Sequence, residues 1–201
     1  AVLKTILSRL DEGKSREWLC LSKNSDCLEK ILIAMDNAEV RDLSRFDWIL
    51  HRLQACSTTI KIDSGFRILA RLCRAVPASL NTKVIDGLLN DFFKNTNSTT
   101  EKDDKSEKNN NKIVQTEKIQ KIIINQVTGE DLAVLLIGLG QARYQGLNSD
   151  LIIKSLAAKL EDLHTPTISR LATALSRVEQ NDELLILMHD LVNLSTKRIN
   201  E

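Results

Sequence analysis

Between Thr128 and Thr196 one short helical pattern is written, turned and written again, and this recurrence limits the chain more than any other feature. Thr128 to Arg143, Asn148 to Leu163, Thr165 to Val178 and Asn181 to Thr196 are each about one helix long, with apolar residues at helical spacing. A shift of 36 residues carries Leu132 onto Ile168, Leu135 onto Leu171 and Leu139 onto Leu175. Small residues meet small ones as well, Gly138 falling on Ala174. Self-similarity at about 30 to 45 residues marks stacked helix pairs, none of which buries its apolar face alone. The expectation is therefore an all-α fold, a right-handed α-solenoid of stacked helix pairs.

The rest of the chain fits that frame. Leucine and isoleucine dominate while aromatics are only 3%, which suits helix packing on helix. Two prolines and seven glycines are too few for a chain of hairpins. Helical faces follow at Val2 to Leu10, more weakly at Ser15 to Leu21, then at Cys27 to Ala38 behind Ser25. Another runs from Ser44 to Cys56, with Phe46 inward. Asp63 or Ser64 is expected to cap the next helix, which carries Ile68, Leu69 and Leu72 and closes at Val76-Pro77. Leu80 to Lys94 forms its return, and Ile113 to Gln126 another. That makes about ten to eleven helices. The helices on either side of residues 95–112 both have the pattern of a return helix.

Residues 95–112 have no apolar side chain and cannot bury enough surface to offset the entropy of ordering, so a disordered insert is expected there. The chain divides into N-terminal helical repeats over 1–94, this insert, and C-terminal repeats over 113–201, the two sets of repeats forming one continuous solenoid. No apolar run reaches the roughly 18 residues of a membrane span. No leader sequence is evident at Ala1.

Chemistry-bearing motifs are sparse. Gly13-Lys14-Ser15 has the end of a phosphate-binding loop, but Ser8 stands where that loop needs glycine. Gly138-Leu139-Gly140 lacks the third glycine of a dinucleotide fingerprint, Arg143 standing in its place. Cys20, Cys27, Cys56 and Cys73 have no metal-ligand spacing, and His51, His164 and His189 are scattered. Cys56 and Cys73 fall on apolar faces as small buried hydrophobes, and reduced thiols are expected. Asn97-Ser98-Thr99 and Asn193-Leu194-Ser195 are formal glycosylation sequons without a secretion signal beside them. No catalytic constellation, metal site or cofactor is expected, hence no enzyme.

A set of arginines is the candidate site. A shift of 67 residues aligns Ile68 with Leu135 and Leu72 with Leu139. Arg67 and Arg170 then share one repeat position, and Arg74 and Arg177 another. Residues seven apart share a helix face, so each couple projects together. Arg71 joins the first couple, and Arg45 with Arg52 forms another one helix earlier. Stacking would line these guanidinium groups up, about 10 Å apart per helix layer, on a surface suited to phosphate. The competing reading is a solvated face, with Arg67 paired to Asp63 and Arg177 near Glu179 and Asp182. The net charge of +1 excludes coating of nucleic acid through bulk charge. Residues 1–94 hold 15 basic and 12 acidic residues, and residues 113–201 hold 9 and 11.

The stretch TGEDLAVLLIGLGQARYQGLNSDLIIKSLAAKLEDLHTPTISRLATALSRV resembles organellar helical repeats of the octotricopeptide and heptatricopeptide type, including those of FAST-kinase-like proteins. The likeness lies in Thr165-Pro166, Leu132-Ala133, Leu135-Leu136 and Gly138-Leu139. It implies an α-solenoid of the mitochondrial matrix or another organelle matrix. Such a protein would bind organellar RNA, either as a structural component of the mitochondrial ribosome or by stabilising transcripts, beside the neighbouring proteins of a larger complex. The alternative is a protein-protein scaffold without nucleic-acid contact, which the near-neutral charge and the negative C-terminal half favour.

Overall fold

Leucine and isoleucine at a period of 3.6 place one apolar stripe on each helix, and burying those stripes against each other builds the fold. The computed structural model describes residues 5, 26–37, 43–77, 80–97, 111–146, 148–176 and 182–200. Among these lie nine α-helices: α1 (Asp26–Asn37), α2 (Leu43–Cys56), α3 (Ile62–Ala75), α4 (Thr82–Asn97), α5 (Asn111–Gln126), α6 (Gly129–Gln141), α7 (Ser149–Ala157), α8 (Thr165–Leu175) and α9 (Asp182–Asn200). A short 3-10 turn, Leu160–Asp162, joins α7 to α8. The expected helices at 2–10 and 15–21 lie outside the described residues, save Thr5, which is helical. Cys20 and Arg177 lie outside them too.

Neighbouring helices pack largely in sequence order, as helical repeats do. One row runs α1, α3, α6, α8, with the broadest contacts between α3 and α6 and between α6 and α8. A second row runs α4, α5, α7, α9. The hairpins α3/α4, α6/α7 and α8/α9 cross-link the rows. One continuous apolar core extends from Leu28 in α1 to Leu194 in α9. The two return-like helices flanking the polar insert both belong to the second row, so α5 is an extra member between α4 and α7. With no helix between them in the first row, α3 and α6 meet directly.

Helix α6 lies at the centre, and its composition explains why. Leu132, Ala133, Leu135, Leu136, Ile137 and Leu139 are all buried, because a helix that is apolar on every side must be covered on every side. Gly138 and Gly140 let that happen. A Cβ on Gly138 would lie 2.7 Å from the Ala70 carbonyl oxygen of α3, and one on Gly140 would lie 2.6 Å from that of Ala174 in α8. The small-residue positions expected from the sequence are thus points of close approach, with Gly138 facing α3 and Ala174 facing Gly140.

Three boundaries differ from the sequence reading. Helix α3 starts at Ile62, so Asp63 and Ser64 sit in its first turn instead of capping it. Both side chains are drawn into contacts with other residues described below. Helix α4 runs on to Asn97 and α5 begins at Asn111, which shortens the polar insert at both ends. Propagating an existing helix costs far less than starting one, so polar residues at its end extend it. Cys56, buried at the end of α2, is disulfide-bonded, where a reduced thiol was expected. A disulfide links residues remote in sequence, which spacing does not display. Cys73 is free and buried, and burial pushes its thiol up to about 12.

Helix α6 ends with Tyr144 donating its backbone N–H to Leu139 at 3.0 Å and Arg143 donating to Gly140 at 3.2 Å. This pairing needs the left-handed conformation at Arg143, whose φ is 52°. Glycine adopts it without a Cβ penalty, so Arg143→Gly is expected to raise the unfolding free energy by about 1 kcal/mol. A urea titration measures it, and a lowered midpoint would refute the assignment of strain to this residue.

Candidate interaction surfaces

Helix starts carry acidic residues in this chain, because a carboxylate complements the positive end of the helix dipole. Asp26 and Glu29 open α1, Asp63 opens α3, and Glu130 and Asp131 open α6. The first row places these starts close together, and Arg67 stands among them. Its Nε donates to Glu29 Oε2 at 2.8 Å. Its Nη1 reaches Asp63 at 3.3 Å and Asp131 at 3.4 Å. Its Nη2 donates to Ser64 Oγ at 3.2 Å, and that hydroxyl donates to Asp26 at 2.9 Å. Burial works against the charged guanidinium, yet the hydrogen bond and charge of Glu29, with the charges of Asp131 and Asp63, hold it above its ordinary pKa.

One guanidinium therefore ties three first-row helices together. Arg67 answers three carboxylates, which leaves the site negative rather than open to phosphate. The sequence anticipated only Asp63; Glu29 and Asp131 come from neighbouring helices, 38 and 64 residues away in sequence.

The other arginines are dispersed. Arg74, in the last turn of α3, and Arg170, on α8, are exposed. Helix α6 separates these two helices and contributes acids at its start and Gln141 at its end. Arg71 is half-buried. Arg45 and Arg52 on α2 are also half-buried, and the Arg52 guanidinium lies 5.5 Å from the centre of the Trp48 ring, a cation–π contact.

A second polar junction joins α6 to α8. The α6 side chain Glu130 accepts the His164 backbone N–H at 2.6 Å and the Thr167 hydroxyl at 2.8 Å. Its Oε1 also meets His164 Nδ1 at 2.8 Å. Residue 164 is the N-cap position of α8 and makes no side-chain cap of its own. Glu130 supplies the missing acceptor from the neighbouring helix. Burial opposes ionisation of Glu130, but the backbone N–H of His164 and the Thr167 and His164 side chains outweigh it and lower its pKa below the ordinary 4.5.

A lowered carboxylate stabilises the fold above the ordinary value and loses that contribution as pH falls through its folded value. Wild type should thus exceed Glu130→Gln by about 1 kcal/mol at pH 6, and the two should converge well below pH 4.5. Melting temperatures across that range provide the check, and parallel curves would show that the charge is irrelevant.

Two further contacts close the C-terminal end. Arg198 of α9 donates to the carbonyl oxygens of Leu163 and, at 3.0 Å, Glu161, holding the 3-10 turn. Lys154 of α7 pairs with Glu183 of α9 at 3.0 Å. Nearer the centre, the Tyr144 hydroxyl donates to Asp86 of α4. Burial, and then the Asp86 carboxylate, raise the pKa of that phenol.

Helix α9 presents a different kind of surface. Leu184, Leu187, Leu191 and Leu194 face the core. Leu185, Ile186, Val192 and Ile199 are 52%, 57%, 63% and 83% exposed, although large apolar side chains favour burial. Leu185, Val192 and Ile199 are seven residues apart and share one face. Half-buried Met188 lies between that face and the core, so apolar surface wraps about half the helix. Ile199, one turn beyond the Asn181 to Thr196 segment, completes the stripe.

Among the described residues no group of three or more His, Cys, Asp or Glu is arranged to hold a metal ion. No single described helix is long and apolar enough to cross a membrane. Compared with protein-family models, curated proteins and solved structures, the chain finds no match.

Proposed function

We propose that this chain is a non-enzymatic scaffold, a right-handed α-solenoid of about ten to eleven helices that holds a protein partner on helix α9. The carrying observation is the exposed stripe of Leu185, Val192 and Ile199 on α9. A helix that only caps a stack needs apolar residues over roughly 100° of its surface, and α9 carries them over a wider arc. Its second-row neighbour α7, flanked by α5 and α9, has the same broad apolar surface fully covered, with Leu151, Ile152, Ile153 and Leu156 buried. Helix α9 has the pattern of an inner member with one side open.

The test is retention of protein partners by tagged chain after nuclease treatment, compared with Leu185→Glu/Val192→Glu. Retention by wild type and loss in the variant support the scaffold. Partners that vanish with nuclease, or that ignore the substitutions, count against it.

The second reading is RNA docking in the mitochondrial matrix or another organelle matrix, as a ribosomal component or a transcript-stabilising factor. The exposure of Arg74 and Arg170 favours it, together with the resemblance of residues 128–178 to organellar repeats. Two observations weigh against it. Arg67 is neutralised by acids, and the Cys56 disulfide is at odds with a reducing compartment. Arg74→Glu/Arg170→Glu should weaken retention on RNA and flatten its salt dependence if this reading holds.

A further inference from the structure

We propose that Cys56 is bonded to Cys20, and that this bond clasps α1 and α2 onto the end of the stack remote from α9. The inference is independent of the scaffold reading. The chain has four cysteines, Cys20, Cys27, Cys56 and Cys73. Cys56 is in a disulfide, while Cys27 and Cys73 are free thiols. Cys20, outside the described residues, is the one cysteine left to complete the pair.

Helices α1 and α2 both pack chiefly on α3. The first helices of a stack have a neighbour on one side only, so packing holds them least. Helix α1 adds Leu28, Leu32 and Met35 to the core and reaches α3 through Asp26 to Ser64 and Glu29 to Arg67. A bond from residue 20 to residue 56 closes a ring that contains the whole of both helices. Such a ring restricts the unfolded chain, and a long loop restricts it more than a short one. Cys56 is 1% exposed, so the packed end shields the bond from reductants. To form it, the two thiols give up two protons and two electrons, and glutathione disulfide takes them to become two glutathione thiols.

Each cysteine falls on its own tryptic peptide. Lys23 separates Cys20 from Cys27, while Arg52, Lys61, Arg71 and Arg74 bracket the other two. The full chain, folded in a glutathione redox pair, is alkylated in denaturant and digested without reduction. Peptide 17–23 should be linked to peptide 53–61, with Cys27 and Cys73 alkylated. Excess dithiothreitol should lower the melting temperature of the unsubstituted chain by about 5–10 °C. Cys20→Ser should melt near that reduced chain and ignore the reductant, whereas Cys27→Ser should keep the response. Alkylated Cys56, or its linkage to Cys27, Cys73 or a second chain, overturns the pairing. A linked pair whose reduction leaves melting unchanged overturns the clasp.

Discussion

Replacing Arg67 with Met is expected to lower the unfolding free energy by about 2–3 kcal/mol, between the values for exposed and fully buried ion pairs. The side chain is 28% exposed, so water moderates but does not cancel the effect. Removing it strands Glu29, Asp63 and Asp131 beside one another where α1, α3 and α6 meet. Glu29→Gln in the Arg67→Met background should recover part of the loss, since it removes one member of the repelling group. Urea midpoints for the four chains of this cycle, at pH 7, give the answer. A variant within 0.5 kcal/mol of wild type, on the order of an ordinary surface change, would return Arg67 to the pool of surface cations.

The same residue shows where sequence reasoning succeeds and where it stops. The register that aligned Ile68 with Leu135, and Leu135 with Leu171, corresponds to the real neighbours α3, α6 and α8, because apolar periodicity records which face is buried. That register puts Arg67 on an outer face. What lies across from it depends on which helix starts arrive there, and Glu29 is 38 residues away in sequence while Asp131 is 64. A usable signal was nevertheless present. Acidic first turns on α1, α3 and α6, combined with helices that run side by side, would have brought carboxylates toward any cation near the start of α3. The contact between Glu130 and His164 follows the same logic: the side chain that caps α8 comes from the start of α6.

The α9 face was legible in a different way. Its heptad spacing is written in the sequence, but apolar spacing alone does not separate a face buried in the core from one left open. Only the placement of α7 and α8 against one side of α9 makes that distinction. The disulfide at Cys56 and the extra second-row helix α5 were beyond reach for a related reason, since both depend on contacts between segments remote in sequence.

Gly138→Ala and Gly140→Ala are expected to destabilise the chain by about 2–3 kcal/mol each, through the opposite sides of α6. Alanine is intrinsically better than glycine inside a helix by about 1 kcal/mol, so any net loss measures the cost of separating helices. That cost is large here because the atoms in the way are backbone. A new methyl at 138 would meet the Ala70 carbonyl oxygen at 2.7 Å and its Cα at 2.8 Å, and at 140 the Ala174 carbonyl oxygen at 2.6 Å. No rotamer change relieves such contacts; α3 or α8 must move outward as a whole, which opens gaps along the packed leucines beside it. Gly87 of α4 provides the internal control, because a Cβ there meets nothing within 4 Å. Gly87→Ala should therefore stabilise by about 0.5–1 kcal/mol through propensity alone. Opposite signs at Gly87 and at the two α6 glycines, read from urea midpoints, establish that α6 holds the first row together by backbone proximity. If all three substitutions stabilise, the helices have room to spare, and the close approach of α6 to both neighbours has no energetic weight.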